Sequence, residues 1–447
     1  MIQRKVIVWS VIVAMGGFIF GFDTVVISGA EQAIQKYWAL SSLVHGLTVA
    51  MAIIGTVFGA LFGRIPADAI GRKKSLIIIA VLFLFTSIGT SLVTNWYLFM
   101  GLRFIGGLGV GASSVIAPTY ITEISPPAAR GRLGMLFQFN IVFGIVMAFL
   151  SNLLIVYILG SDNHNAWRYM LGVMAVPSLV FLLLLKFIPE SPRWLLLQSG
   201  RNDEAQATLQ IINPEGYQQD IDSIVNSNEE DAKEPGGTEL FSGRYKFPIM
   251  LAILIAFFNQ TSGINAILYY APRIFEMTGL GGKDSLSSSL ILGVVNFTFT
   301  MLAIFFIDKI GRRKLMFIGS FGLIATLGLV AYSFFSGNLS GYYITCYLSA
   351  FIAFFAFSQG AVIWVFISEI FPNQVRAKGQ SLGSFTHWVM AALIANSFPF
   401  FAEKLGGGFT FLFFTVMMVL QLLFVWKLMP ETKGKSLEGI EHSLLMH

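Results

Sequence analysis

Asp68-Ala-Ile-Gly-Arg-Lys-Lys74 recurs 240 residues on as Asp308-Lys-Ile-Gly-Arg-Arg-Lys314. Glu123-Ile-Ser-Pro126, followed by Arg130, recurs as Glu369-Ile-Phe-Pro372 with Arg376, 246 residues on. Pro189-Glu190-Ser191 recurs as Pro430-Glu431-Thr432, 241 on. Three unlike motifs sharing almost one offset mark a chain built from two similar halves. A simple demand for cations in loops would explain the Arg and Lys, but not the matched Gly, Pro and Glu.

The stretches between these motifs are apolar and near the ~20 residues a helix needs to cross a bilayer. They run at 8–30, 44–66, 75–94, 97–121, 134–158 and 167–188, then at 247–270, 287–308, 315–335, 342–367, 380–402 and 407–429. The first run is too long for a signal peptide and lacks a small-residue cleavage site, so it reads as a retained span. Six spans between equivalent motifs is an even number, so the two halves have the same orientation. The expected fold is an all-α membrane protein of twelve transmembrane helices in two parallel six-helix halves, an architecture with a substrate site near mid-membrane. The expected domains are a first half at 1–188, a cytoplasmic helical linker at 189–246, a second half at 247–429 and a cytoplasmic tail at 430–447.

Composition agrees. Only 12% of the 447 residues are charged and 55% are hydrophobic, against roughly 25% charged in soluble domains. The net charge of +5 sits in short loops, which is a topology signal rather than a nucleic-acid footprint. Seventeen Lys and Arg fall in one alternate set of loops and the tails, against five in the other set. The excess places both termini and the central linker in the cytoplasm. A single cysteine, Cys346, excludes a disulfide framework, and the five His show no metal-ligand spacing. There is no nucleophile–base pair, metal set or phosphate loop, so neither an enzyme nor a cofactor is expected. In the linker, 191–200 and 203–212 read as short helices, and the acidic run 227–237 reads as a mobile segment. Trp96, Trp167, Trp194 and Trp426 lie near span ends and read as interfacial anchors.

Polar groups within spans must face a partner or a watery cavity. Gln138, Asn259, Gln260, Asn265, Asn296, Gln359 and His387 are such groups, accompanied by Phe20, Tyr269, Trp364 and Trp388. Amides offer donors and acceptors without charge, as sugar hydroxyls require, and aromatic rings suit the C–H faces of a sugar. For any one amide, an interhelical hydrogen bond is an equally good explanation. Asp23 and Arg103 are each expensive in hydrocarbon, ~2.5–3.5 kcal/mol at a span centre, and can pair. The pair is either a lock between two helices or a proton site. Burial favours the neutral form of a carboxyl and an adjacent guanidinium the charged form, so separating the two would switch a proton on and off the acid.

The motif set resembles the sugar porter family of the major facilitator superfamily over nearly the whole chain. The strings are Gly21-Phe-Asp-Thr-Val-Val-Ile-Ser-Gly29, Arg103-Phe-Ile-Gly-Gly-Leu-Gly-Val-Gly111, Arg130-Gly-Arg132, Pro189-Glu-Ser-Pro-Arg-Trp194, Gly263-Ile-Asn-Ala-Ile-Leu-Tyr-Tyr270, Ser368-Glu-Ile-Phe-Pro372 and Pro430-Glu-Thr-Lys-Gly434, with the two Asp68 and Asp308 loops. The stretch 293–303 is most similar to the family's bacterial xylose–proton symporters. The resemblance implies that Gln138, Gln260, Asn265 and Asn296 bind sugar hydroxyls, that Trp364 stacks on the ring and that Trp388 lines the site. Asn259 stands where the family usually has Gln, His387 where it has Asn or Gln, and Ile145 where glucose carriers also have Ile. Ala69 replaces a usual Arg. Proton symporters of the family carry an acid at Asp23, and many facilitators carry Asn.

Glu123, Arg130, Asp68, Arg72 and Glu190 in the first half mirror Glu369, Arg376, Asp308, Arg312 and Glu431 in the second. Orientation needs cations but not these acids, so carboxylate–Arg pairs that close the cytoplasmic side are expected. Gly263 reads as a weak point where the seventh span bends. The expected partners are a monosaccharide, a proton and the bilayer of a plasma membrane, bacterial by the resemblance, with a monomer sufficing. The expected function is proton–sugar symport. The alternatives are an uncoupled sugar facilitator with the same site, or a membrane sugar sensor.

Overall fold

The computed structural model describes residues 3–126, 129–160, 163–233, 240–241 and 243–434. The end of the expected tail, 435–447, and residues 234–239 of the linker lie outside the described residues. Within them the regular structure is all helical. Twelve helices are long and apolar enough to cross a membrane: α1 (Arg4–Tyr37), α2 (Ser42–Phe62), α3 (Arg72–Leu92), α4 (Trp96–Glu123), α5 (Arg130–Leu159), α6 (Ala166–Phe187), α7 (Lys246–Tyr269), α8 (Gly282–Ile310), α9 (Arg312–Ser336), α10 (Gly341–Glu369), α11 (Gln374–Lys404) and α12 (Gly406–Lys427). At 1.5 Å per residue, the 34 residues of α1 extend about 51 Å, well beyond a ~30 Å hydrocarbon core. The helix therefore continues past its apolar run and includes Glu31 and Gln35.

The chain forms two compact units, Met1–Thr24 with Ile54–Ala148 and Arg168–Gly237, and Val25–Ile53 with Phe149–Trp167 and Thr238–His447. The boundary passes through α1, α2, α5 and the first turn of α6. In the first unit, small residues set the helix crossings. A Cβ on Gly17 would lie 2.7 Å from the Phe137 carbonyl oxygen, and one on Gly59 or Gly111 would overlap backbone of the facing helix, α4 or α2. Without a hydrophobic force between helices in lipid, such close backbone approach supplies the dispersion contact that holds them. Asn95 caps α4 by accepting from the Leu98 N–H at 3.1 Å.

The linker forms helices at Pro192–Trp194, Leu195–Ser199, Asn202–Ile212 and Tyr217–Lys233. The acidic run read as mobile is thus helical as far as Lys233. Trp194 is not an interfacial anchor. It is 7% exposed, packs with Leu195 and Ala205 and donates its indole N–H to the Asp68 carbonyl at 2.8 Å. Trp167 is likewise buried, against Trp38 and Tyr37. Trp426 is 60% exposed, as an anchor would be.

In the second unit, α9 packs along α12 and α10, and α7 along α11. Two of its spans are broken. α7 stops at Thr261 and restarts at Ile264 through Gly263, whose φ of +85° is the left-handed conformation that glycine adopts without penalty. A side chain there would also strike the Phe414 ring, 2.6 Å from an added Cβ. α10 breaks at Ser358, between helices Gly341–Phe357 and Gln359–Glu369.

Candidate functional site

The repeated loop motif has one physical solution used twice. Gly71 and Gly311 have φ of +97° and +98° and immediately precede α3 and α9. The first N–H groups of those helices lack intrahelical acceptors and carry the positive end of the helix dipole. Glu190 fills this role in the first unit, accepting from the Arg72 and Lys73 N–H groups at 2.9 and 3.0 Å. Glu431 does so in the second, from Arg312 and Arg313 at 2.9 and 3.1 Å. A Cβ on Gly311 would sit 2.7 Å from the Glu431 carboxylate, so glycine is required for space as well as for φ. The paired Gly and Glu of the sequence repeat are therefore two halves of one contact.

The guanidiniums that follow are held in fork geometry. Arg72 donates to both oxygens of Glu123 at 3.0 and 3.1 Å and to Asp68 at 3.1 Å. Arg312 donates to both oxygens of Glu369 at 2.7 and 3.1 Å and pairs with Asp308 at 2.9 Å. Thr432 adds a hydrogen bond to Glu369 at 2.6 Å. Each cluster lies wholly inside its own unit. Arg130 and Arg376 stand apart from them. Arg130 is exposed and in no ion pair among the described residues. Arg376 donates Nε to the Phe371 carbonyl at 3.3 Å, and one of its Nη groups is buried without a partner among the described residues.

In the first unit, Arg103 of α4 donates Nη1 to Asp23 of α1 at 3.0 Å, with side chains 6% and 7% exposed. The Arg103 Nε is buried and unpartnered among the described residues. Phe20 and Gln138, in the same unit, are each half-buried.

In the second unit, the break in α7 gathers the polar side chains. Gln260 stands at its centre. It donates to Asn259 Oδ1 at 2.9 Å, accepts from Asn265 Nδ2 at 2.8 Å and directs its amide nitrogen at the His387 ring, 3.3 Å from either nitrogen. Asn259 donates to the Gln359 carbonyl at 3.4 Å. Ser262 braces the break by donating to the Asn259 carbonyl at 2.6 Å. His387 lies between two indoles, with centroids 4.9 Å from Trp364 and 5.0 Å from Trp388. Trp364 is 41% exposed, so one aromatic face is left open beside a polar cluster. Tyr269 and Asn296 are buried in this unit. The structure thus joins Asn259, Gln260, Asn265 and His387 in one hydrogen-bonded group flanked by Trp364 and Trp388. An uncharged cluster rich in both donors and acceptors, beside an open indole, has the chemistry to bind a polyhydroxylated ring and little means to bind an ion.

Sequence reading missed a second polar cluster in this unit. Glu31 of α1, His45 of α2 and Arg273, in the short helix Ala271–Glu276, form a buried network. Its only sequence signal was an acid just beyond an apolar run and one of the few cations of the cation-poor loops.

A family model described as "Sugar (and other) transporter" matches residues 9–444. The arabinose–proton symporter of Bacillus subtilis is 38% identical over 98% of this chain and 94% of its own. The D-xylose–proton symporter of Escherichia coli is 34% identical over 97% and 94%. The glucose transport protein of Synechocystis is 36% identical over 97% of each chain. Among solved structures, the xylose transporter XylE from E. coli in a partially occluded inward-open conformation superposes with a TM-score of 0.85 at 32% identity, covering 97% of this chain and all of that one. With twelve membrane-length helices and this match along its whole length, the chain belongs to the sugar porter family of the major facilitator superfamily.

Proposed function

We propose that this protein carries a monosaccharide across a bacterial inner membrane in symport with a proton, by alternating access. The observation that carries the reading is the buried Asp23–Arg103 pair. A carboxylate and a guanidinium with no other charged partner among the described residues form a two-state switch. Together they are neutral with Asp23 ionised, and apart Asp23 is neutral only with a proton on it. One proton moving down 100 mV supplies ~2.3 kcal/mol, about forty-fold accumulation of an uncharged sugar.

The sugar ligands in this reading are Gln260, Asn265, Asn259, Asn296 and His387, with Trp364 and Trp388 as ring contacts and Tyr269 as a gate residue. Gln138 and Phe20 enter through the family pattern. Both termini and the linker face the cytoplasm, as the loop cations imply. The halves 1–188 and 247–429 act as the two moving bodies, and the Arg72–Glu123 and Arg312–Glu369 clusters serve the cytoplasmic closure. A monomer suffices.

The test is uptake by purified protein in proteoliposomes with an imposed pH gradient, inside alkaline, offered xylose, arabinose, glucose, galactose and fructose. Accumulation above the outside concentration, collapsed by a protonophore, is the expected result. Saturable uptake that never exceeds equilibrium would instead select the uncoupled facilitator, and Asp23–Arg103 would be a helix lock.

A further inference from the structure

The network at Glu31 is ionic, buried at Glu31 and His45, and unused by the mechanism above. Arg273 donates Nε to one oxygen of Glu31 at 2.9 Å and Nη2 to the other at 2.6 Å. The same Nη2 reaches Gln35 at 2.6 Å. The His45 Nε2 lies 2.6 Å from Glu31 Oε2. Glu31 and His45 are both 0% exposed, and Arg273 is 20% exposed.

The protonation states follow from the hydrogen bonds. Glu31 accepts from both Arg273 groups, so it is the carboxylate, and His45 must give its Nε2 hydrogen to it. The other imidazole nitrogen, Nδ1, is buried with no partner among the described residues. A bare lone pair there costs little. An N–H on a charged ring there would be a buried donor with nothing to bond, which is expensive. With Arg273 in place, His45 is therefore neutral and the three groups sum to zero charge.

Arg273 is the member free to leave. It follows the Gly263 break and a second kink at Tyr270, so the segment from Ile264 to Glu276 hangs on two joints. If it moves, Glu31 remains buried beside His45 as an uncompensated anion. The same withdrawal opens the pocket to water, which can accept from an Nδ1 hydrogen, so the imidazole then restores neutrality by binding a proton there.

We propose that the Glu31–His45 pair is a second proton-binding site, which takes up one proton when Arg273 withdraws and gives it back when Arg273 returns. The proton and the guanidinium exchange for one another on the same carboxylate. Low pH therefore opens this latch. Among the described residues, Glu31 is the charged group bonded to His45. The Tyr270 ring lies edge-on at 6.3 Å, but its hydroxyl is committed to the Ala395 carbonyl. A Cβ added at the next residue, Gly46, would strike the Asn396 backbone. Glu276 binds Gln32 and Glu403 binds Ser42. The proposal rests on the alternating-access reading for its motion, and its test does not use sugar transport.

Spin labels at Lys36→Cys and Gly281→Cys, in a Cys346→Ser background, measure the distance between the end of α1 and the segment after Arg273. Lys36 is exposed and an added Cβ at Gly281 meets nothing. Between pH 8 and 5 the longer-distance population should grow as the pH falls, by at most about tenfold per pH unit for one proton. His45→Gln, which can still donate to Glu31 but cannot take up a proton, should flatten that response. So should the charge-balanced double variant Glu31→Gln/Arg273→Gln, which serves if the single variant does not fold. A pH-independent wild type or an undiminished response in His45→Gln would each overturn the proposal. A labelled protein that responds to pH but moves no sugar would fail the transport reading alone.

Discussion

Two ionic sites hang on α1 eight residues apart, Asp23 in the first unit and Glu31 in the second. Among the described residues, Asp23 has one charged partner in a single-point hydrogen bond, while the guanidinium it meets keeps an unpartnered Nε. Glu31 has two titratable or charged partners and accepts three hydrogen bonds, two of them from a fork. A pair joined by a single hydrogen bond has fewer contacts to give up on separating than a carboxylate held by three, which needs a replacement charge when its guanidinium leaves. The same helix thus carries a sparsely bonded pair, the proposed coupling site, and a densely bonded one, the proposed latch.

The largest way to break this comparison is Asp23→Asn. The amide keeps the size of the carboxyl and can hydrogen-bond, but it cannot cycle a proton. Accumulation driven by an imposed gradient should vanish, while sugar counterflow, which moves no net proton, should partly survive. Continued concentration of sugar by this variant would demote Asp23 to a helix lock. His387, an ionisable group already in the sugar cluster, would be tested next.

The latch should respond differently, in stability rather than in coupling. Glu31→Gln leaves Arg273 half of its fork against a neutral amide in a buried place. Breaking a buried pair on one side costs ~3–5 kcal/mol, read as a lower unfolding temperature in detergent. Glu31→Gln/Arg273→Gln, which removes both charges, should recover most of that loss. If single and double variants are equally destabilised, the triad is held by packing rather than by charge balance.

Uncharged polar groups give smaller effects still. Gln260 is the hub of the α7 cluster, so Gln260→Ala strands Asn265 and Asn259 as well as any sugar hydroxyl. Removing one partner of a buried polar group costs ~1–3 kcal/mol, roughly five- to 150-fold in Kd, by calorimetry with the transported sugar. Asn265→Ala should fall at the lower end, because it removes a single donor to Gln260. Wild-type affinity in both would take the sugar away from α7.

What the sequence reveals of these sites depends on how local they are. The twelve spans are visible because each is a continuous apolar run. The bend in α7 is visible because Gly263 interrupts one. The break at Ser358 in α10 is not, since Phe357, Ser358 and Gln359 belong to an unbroken run and the distortion is imposed by its surroundings. Asp23 stands out as an acid deep in an apolar run. Glu31 does not, because the run ends at 30 and an acid there reads as the start of a loop, although the helix continues to Tyr37. Its partners come from another helix and from a position 242 residues away. The lock motifs are legible as a repeat, but the docking of Glu190 and Glu431 on helix N-termini emerges only when the chain is folded. Which acid each Arg selects is likewise tertiary. Glu123 and Glu369 pair with Arg72 and Arg312, not with the Arg130 and Arg376 that share their motifs.

The finest distinction lies within the proposed sugar cluster, between reading a hydroxyl and covering a face. Trp364 offers an indole 41% exposed, braced from behind by His387 at 4.9 Å. An aromatic face contacts the C–H side of a sugar ring without regard to which hydroxyl points where, so its contribution is shared by every accepted sugar. Aromatic contacts add ~0.5–1.5 kcal/mol beyond the area they bury, so Trp364→Ala should weaken binding by roughly tenfold or less. The loss should be nearly equal for pentoses and hexoses, whereas Gln260→Ala should change their rank order. Competition of several sugars against one labelled sugar, in both variants, measures this directly. If Trp364→Ala loses one sugar and spares another, the indole selects by shape or by its N–H, and the division between a polar reader on α7 and an apolar platform on α10 is wrong.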